Sequence, residues 1–311
     1  EMITVGMIGS GGNARGHMRR LLQIDGVQIA AIADPSEDAI DTALKLEDMP
    51  NDVNTFDDPQ EMLDETELDA AVISTPHTLH YDHIMAALDE DLHILCEKPM
   101  VCTVPEAEDV IDRLESMDVV FGVSYQRHVQ APYRYCRKKI AGGEVGPCHF
   151  ISGVQSQNWY RSQVENDTWR SQMQWSGGGQ LNDSGSHLLD IILWIVDQEP
   201  VEAFAYQENM EAEVDILSAI SVKFTGDALC NMSIVGHAVN FHESITFFCE
   251  DATLGIRDDE VWHWDDGEKQ VVSGADLGRT WSPDENFIAA LRGEEQIQAP
   301  AECGLEVIRL S

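Results

Sequence analysis

Basic residues are scarce in this 311-residue chain: there are six Lys, and Lys plus Arg number 19 against 56 Asp plus Glu, for a formal net charge of −37. Without a basic stripe there is nothing to neutralise phosphates, so a nucleic-acid partner is excluded. No apolar run reaches the roughly eighteen residues a transmembrane helix needs, so no membrane span is expected. The seven Cys are scattered and form no C-x-x-C pair, which suits reduced cytoplasmic thiols. Glu1-Met2-Ile3 runs directly into a strand pattern, so no signal peptide is expected and the expected location is cytoplasmic. There is no Pro- or Ser-rich linker and no internal repeat. The acids are spread along the chain rather than gathered in an interaction tail. Self-repulsion on this scale destabilises a compact state unless salt screens it. The composition therefore points to a salt-adapted protein rather than a merely acidic mesophilic one. With 43% apolar residues the chain can still build real cores, enough for one large or two ordinary domains.

Strand and helix patterns alternate through the first part. Strands are expected at residues 3–8, 27–33, 53–56, 70–74, 92–96 and 119–124, and helices at 13–22, 37–46, 59–63, 79–89 and 105–117. Thr103 and Glu106 form a T-x-x-E capping box. Such alternation predicts a doubly wound parallel sheet whose ligand crevice lies at the carboxyl ends of its strands. Gly9, Asp34, Ser74 and Lys98 all stand at such ends. After about residue 122 the pattern changes. A helix at 131–141 stops at Gly142-Gly143, and β-type runs follow at 149–155, 201–206, 216–224, 229–235, 244–249 and 252–256. The expected fold class is α/β: a doubly wound parallel (Rossmann) sheet over 1–122, then an α+β domain over 123–311 with an open, mostly antiparallel sheet. An apolar helix is expected to cover one face of that sheet, leaving the other to meet something else. An expected helix is still running at Ser311, which leaves a longer natural chain open.

Three segments carry chemistry. Gly9-Ser10-Gly11-Gly12-Asn13-Ala14 follows the first strand and opens a helix, a G-x-G-x-x-A form of the dinucleotide fingerprint. Gly9 permits the tight turn, Gly11 leaves room for a pyrophosphate, and Ala14 lets the helix pack on the sheet. Asp34 ends the second strand at the position of an acid that bonds the adenosine ribose, although Asp34-Pro35-Ser36 also reads as a turn and helix cap. Asp34 disfavours a 2′-phosphate, so NAD is expected over NADP, with NADP left open because Arg15 could reach a phosphate. The second segment, Glu97-Lys98-Pro99, follows a buried-looking strand. A Lys there can present a cation or a proton donor at the sheet rim; the plain alternative is a surface Lys before a turn Pro. In the third, Gly177-Gly178-Gly179-Gln180-Leu181-Asn182-Asp183-Ser184-Gly185-Ser186-His187, an apolar helix is expected from Ser184 to Val196. Asp183 and His187, four apart, are expected on one helix face, where the carboxylate can orient an imidazole that titrates near neutrality. The alternative is an N-cap Asp and a core His. His77, His80 and His83 sweep round a helix with no Cys or acid cluster to complete a ligand set, and no metal is expected.

Together with Ser74-Thr75-Pro76, His80 and Trp169-Arg170, these segments resemble the Gfo/Idh/MocA family, the glucose–fructose oxidoreductase and inositol dehydrogenase relatives, over nearly the whole chain. The resemblance implies NAD(P)-dependent hydride transfer at a sugar or polyol hydroxyl carbon. It implies Lys98, Asp183 and His187 as catalytic residues, with His187 as base, Asp183 as its orienter and Lys98 on the reacting oxygen. Gly9 to Ala14, Asp34, Ser74, Thr75, Pro76, His80, Glu97, Lys98 and Gln126 are implied on the cofactor. Lys98, Arg127, Trp169, Arg170, Asp183 and His187 are implied on the substrate. A homodimer or homotetramer formed through the second sheet is also implied. Two alternatives stay open: a non-catalytic NAD(P)-binding sensor of sugar metabolism, and a sugar-modifying enzyme whose bound cofactor is recycled in place.

Overall fold

A computed structural model describes residues 2–265 and 267–311. The chain divides into two compact units, Glu1–Tyr125 with Trp281–Leu305 and Gln126–Thr280 with Glu306–Ser311.

The first unit alternates β1 (Ile3–Ile8), α1 (Gly12–Leu21), β2 (Val27–Ala33), α2 (Glu37–Ala43), β3 (Asn54–Phe56), α3 (Pro59–Glu65), β4 (Ala70–Ile73), α4 (His80–Asp89), β5 (His93–Cys96), α5 (Val104–Leu114) and β6 (Phe121–Val123). Its strands pair in parallel in the order β3-β2-β1-β4-β5-β6. All of β4 and most of β1 and β5 are buried, as strands covered on both faces by crossover helices must be. α5 starts at the expected capping box of Thr103 and Glu106. The order reverses between β1 and β4, so the turns after these two strands open the crevice characteristic of doubly wound sheets.

The second unit contains α6 (Ala131–Ile140), β7 (Cys148–Ser156), the single turn α7 (Met173–Ser176), α8 (Ser186–Val196), β8 (Pro200–Glu208), β9 (Leu217–Phe224), β10 (Leu229–Val235), β11 (His242–Cys249), β12 (Thr253–Arg257), β13 (Glu260–Asp265), β14 (Glu268–Val271) and the single turn α9 (Gly274–Leu277). Its sheet runs β14-β13-β12-β11-β7-β10-β9-β8, antiparallel throughout except that β7 and β10 run parallel. β9 alternates buried and exposed residues, the mark of one covered face. α8 covers it closely because Gly153 of β7 has no side chain: a Cβ there would stand 3.0 Å from Ile192 Cδ1 and 3.4 Å from Leu188 Cδ2.

The chain then enters α10 (Pro283–Leu291), and α11 (Ala301–Leu310) ends it. The sequence reading placed everything after residue 122 in the second domain. In the structure residues 281–305 pack with the first unit instead. Phe287 and Ile288 of α10 join the core formed by Val5, Ala14, Met18 and Leu95, and Val123 N donates to Ala299 O at 2.8 Å.

The regular helix expected from Ser184 begins at Ser186 and is preceded by a π-helical turn over Leu181–Gly185, closed by Gly185 N to Gln180 O at 2.8 Å. Asp183 therefore sits in the wider turn and His187 in α8. Four-residue spacing no longer stacks the two on one face of a regular helix. β13 and β14 were not anticipated; β14 is wholly exposed and carries no buried alternation to reveal it.

Candidate active site

In the first unit the glycine loop is shaped by its neighbours. Gly9 adopts φ +94°, and a Cβ on it would stand 2.5 Å from Ser74 O, so only glycine lets the turn after β1 lie against the end of β4. Gly9 N donates to Ala33 O at 2.8 Å. Among the described residues, leaving aside chain neighbours and the helix's own backbone, no atom stands within 4 Å of where a Cβ on Gly11 or Gly12 would be, and no side chain caps the start of α1. The loop thus offers space and free helix N–H groups, as a pyrophosphate requires. Asn13 is exposed there, while Ala14 is fully buried against the sheet.

Asp34 is fixed at the end of β2. Its Oδ2 accepts from Ser10 N at 2.7 Å and Ser10 Oγ at 2.9 Å, and its Oδ1 accepts from Ser36 N at 2.9 Å. Arg15 turns back on the loop, its Nη1 donating to Ser10 O at 2.8 Å. These residues fit a dinucleotide: an open glycine cradle, a helix start and a carboxylate at the second strand end.

The turns after β4 and β5 are tied together by His80. Its Nδ1 lies 2.8 Å from Pro99 O and its Nε2 3.0 Å from Thr75 O. Burial lowers its pKa against the pull of these carbonyls. Ser74 N donates to Ile8 O at 2.8 Å, which holds the Ser74-Thr75-Pro76 turn beside the glycine loop. His83 Nδ1 meets Thr75 Oγ1 at 3.0 Å, and burial lowers its pKa to about 4. His80 and His83, both in α4, thus bind the turns after β4 and β5.

Glu97 N donates to Ile73 O at 2.8 Å, and the Glu97 Oε2 accepts from Lys98 N at 3.1 Å. Lys98 is only 7% exposed, so it is not a free surface cation. Glu97 Oε1 also meets His17 Nε2 at 3.0 Å, and His17 Nδ1 meets Asp284 Oδ1 at 2.7 Å. Sequence reading missed both His17 and Asp284. His17 stands one turn past Ala14 in a recognised helix, which is a local hint. Asp284 lies 267 residues from it, and no local pattern announces the pair.

In the second unit the glycine run positions Asp183. Gly177 is left-handed at φ +66°, and a Cβ on Gly179 would stand 2.1 Å from Asp215 O. Asp215 then binds the turn, its Oδ1 accepting from Gly179 N and its Oδ2 from Leu181 N, both at 2.8 Å. Asp183 is buried, and its Oδ2 accepts from Trp159 Nε1 at 2.8 Å. Arg170 Nε lies 3.4 Å from the same oxygen, with its guanidinium 4.3 Å over the Trp169 ring. Trp159 is 2% exposed and packs with Val214 and Ile216. His187 is half-buried in the first turn of α8.

Gln126 and Arg127 begin this unit in a 3₁₀ turn, Gln126–Val129. The Arg127 side chain is buried against Glu243, whose carboxylate also accepts from Tyr133 Oη at 2.9 Å and Gln155 Nε2 at 3.0 Å. Arg127 is thus brought into a buried ion pair with Glu243.

Among the described residues no helix is long and apolar enough to cross a membrane. Residues 3–125 match the family model described as an oxidoreductase family with an NAD-binding Rossmann fold, and residues 133–255 match the GFO/IDH/MocA C-terminal domain. The chain is 30% identical to a rhizopine catabolism protein, MocA, of Rhizobium meliloti over 63% of its own length and 58% of the relative's. It is 29% identical to a D-xylose 1-dehydrogenase [NADP(+)] of Haloarcula marismortui over 54% and 49%. The matched part thus spans about half the length of these relatives. Among solved structures, an aldose-aldose oxidoreductase from Caulobacter crescentus superposes with TM-score 0.86 at 20% identity, covering 99% of this chain and 95% of that one. A scyllo-inositol dehydrogenase from Lactobacillus casei gives 0.82 at 18%, covering 99% and 94%. With both halves matched in order, on the fold those structures share, the chain belongs to the GFO/IDH/MocA oxidoreductase family, its first unit built as an NAD-binding Rossmann fold.

Proposed function

We propose that this chain is an NAD-dependent dehydrogenase that transfers a hydride between a hydroxyl-bearing carbon of a sugar or polyol and the nicotinamide. The observation that carries the reading is Lys98: one of six Lys in an acidic chain, almost fully buried, and set by Glu97 and His80 on the turn after β5. A buried ammonium costs several kcal/mol of solvation, so a chain with so few lysines places one there for chemistry. The names of the relatives support the substrate class, among them a D-xylose 1-dehydrogenase and an inositol 2-dehydrogenase.

Bound NAD supplies the hydride acceptor. The chain's own residues manage the proton and the charge. Gly9 to Ala14 and Asp34 hold the dinucleotide, with the Ser74-Thr75-Pro76 turn and Gln126 as further contacts. Lys98 donates a hydrogen bond to the substrate oxygen and stabilises alkoxide charge as the hydroxyl proton leaves. The imidazole of His187 takes that proton. Asp183, fixed by Trp159 and Arg170, supplies the negative charge that favours the imidazolium. Trp169 and Arg170 offer a ring face and a cation to the polyol. The exposed residues of β8, including Phe204 at 59% and Tyr206 at 74%, support assembly of a homodimer or homotetramer through the second sheet. The scattered free thiols fit a cytoplasmic location.

The test is to mix the protein with excess NAD and a panel of sugars and polyols and to follow the NADH absorbance band. Lys98→Met and His187→Ala are each expected to lower kcat on the order of 10²-fold or more, with little change in the Kd for NAD. Tight NAD binding with no turnover of any sugar would overturn the reading in favour of a sensor.

A further inference from the structure

The buried chain Asp284–His17–Glu97 crosses three elements of the first unit. Asp284, in the first turn of α10, is 0% exposed; His17, in α1, is 1% exposed; Glu97 begins the turn after β5. One ring nitrogen of His17 faces each carboxylate, at 2.7 Å and 3.0 Å. A neutral imidazole has one N–H and can donate to only one of them; the imidazolium donates to both. Arg20, whose side chain is 41% exposed, pairs with the second oxygen of the fully buried Asp284. The far oxygen of Glu97 accepts from Lys98 N at 3.1 Å.

We propose that His17 is a positioning residue: by gripping Glu97 from below the sheet rim it fixes the Glu97-Lys98-Pro99 turn, and with it the aim of the Lys98 ammonium. The proposal rests on the role given to Lys98 above. Without the grip, Glu97 keeps its covalent place but loses the charge-assisted bond that sets its rotamer, and Lys98 loses the acceptor that orients its backbone N–H. A misplacement of about 1 Å at such a group can cost on the order of 10²-fold in rate. The protonation state agrees with the geometry. Burial is the largest influence and would lower the His17 pKa, but Asp284 and then Glu97 outweigh it and raise the value to about 9. Arg20 Nη2 also lies 3.1 Å from His17 Nδ1.

The experiment is a double-mutant cycle on the full chain. His17→Gln is expected to lower kcat about 10-fold or more, while the Kd for NAD, read by quenching of protein fluorescence, and the sugar KM change less than about threefold. In a Lys98→Met background the same substitution should lower the residual kcat less than about twofold, because its effect acts through Lys98. Loss of rate by the same factor in both backgrounds would mean general damage and would overturn the proposal. So would a His17→Gln kcat within about twofold of the parent when Lys98→Met is impaired. If Lys98→Met itself turns over normally, the role of Lys98 fails instead, a separate outcome. Should His17→Gln not fold, Asp284→Asn, which keeps the shape and removes the charge at the far end of the chain, enters the same cycle with the same expectations.

Discussion

Replacing Arg127 by Met separates a structural role from a substrate-binding one. The guanidinium pairs with Glu243, whose side chain is 7% exposed, and the same carboxylate accepts from Tyr133 Oη and Gln155 Nε2. Removing the cation leaves a buried carboxylate with two neutral donors. Breaking one partner of a buried pair costs about 3–5 kcal/mol, mainly as the penalty of the uncompensated charge. For a unit of this size that lowers the melting midpoint by roughly 6–20 °C. Adding Glu243→Gln should restore at least about half of the loss, since an uncharged amide needs no counter-ion and Gln155 Oε1, which has no partner, can accept from it. Thermal melts and urea titrations of the parent, both single variants and the double variant make up the assay, alongside the sugar KM of the folded protein. An Arg127→Met midpoint within about 2 °C of the parent, together with a raised sugar KM, would refute the reasoning and return Arg127 to the substrate.

Two further outcomes are expected. With both Asp34 oxygens engaged and Arg15 turned back on Ser10, kcat/KM for NAD should exceed that for NADP, and Asp34→Ser should narrow the gap; a parent enzyme that prefers NADP would contradict this. With net charge −37, the melting midpoint should climb from millimolar to molar KCl as the Debye length shrinks from about 30 Å at 0.01 M to about 3 Å at 1 M. A midpoint flat or falling between about 0.05 and 2 M would exclude salt adaptation and leave the proposed chemistry untouched.

The alternation of strands and helices in the first unit was legible because each element writes its own period: β1 and β2 were bounded to the residue by their apolar runs, and the capping box placed the start of α5 within one residue, although the helix ends at Leu114 rather than at 117. The fingerprint loop was legible for the same reason, since turn, space and helix start are all local requirements. β13 and β14 were not, because β14 is a wholly exposed edge strand and β13 beside it buries a single residue, so neither carries buried alternation. Nor was the π turn, which arises where Asp215 seizes Gly179 and Leu181 from 36 and 34 residues away.

Sequence alone determined the doubly wound sheet, the position of the glycine loop and Asp34 at its strand ends, the family resemblance, and the acidic surface. Tertiary structure decided which charges meet. It brought α10 back to the first unit and set Asp284 on His17, buried Arg127 on Glu243, and hung Asp183 from Trp159 and Arg170. The reason is physical. Periodicity is a property of neighbouring residues, whereas the partner and protonation state of a buried charge depend on which distant groups share its low-dielectric surroundings.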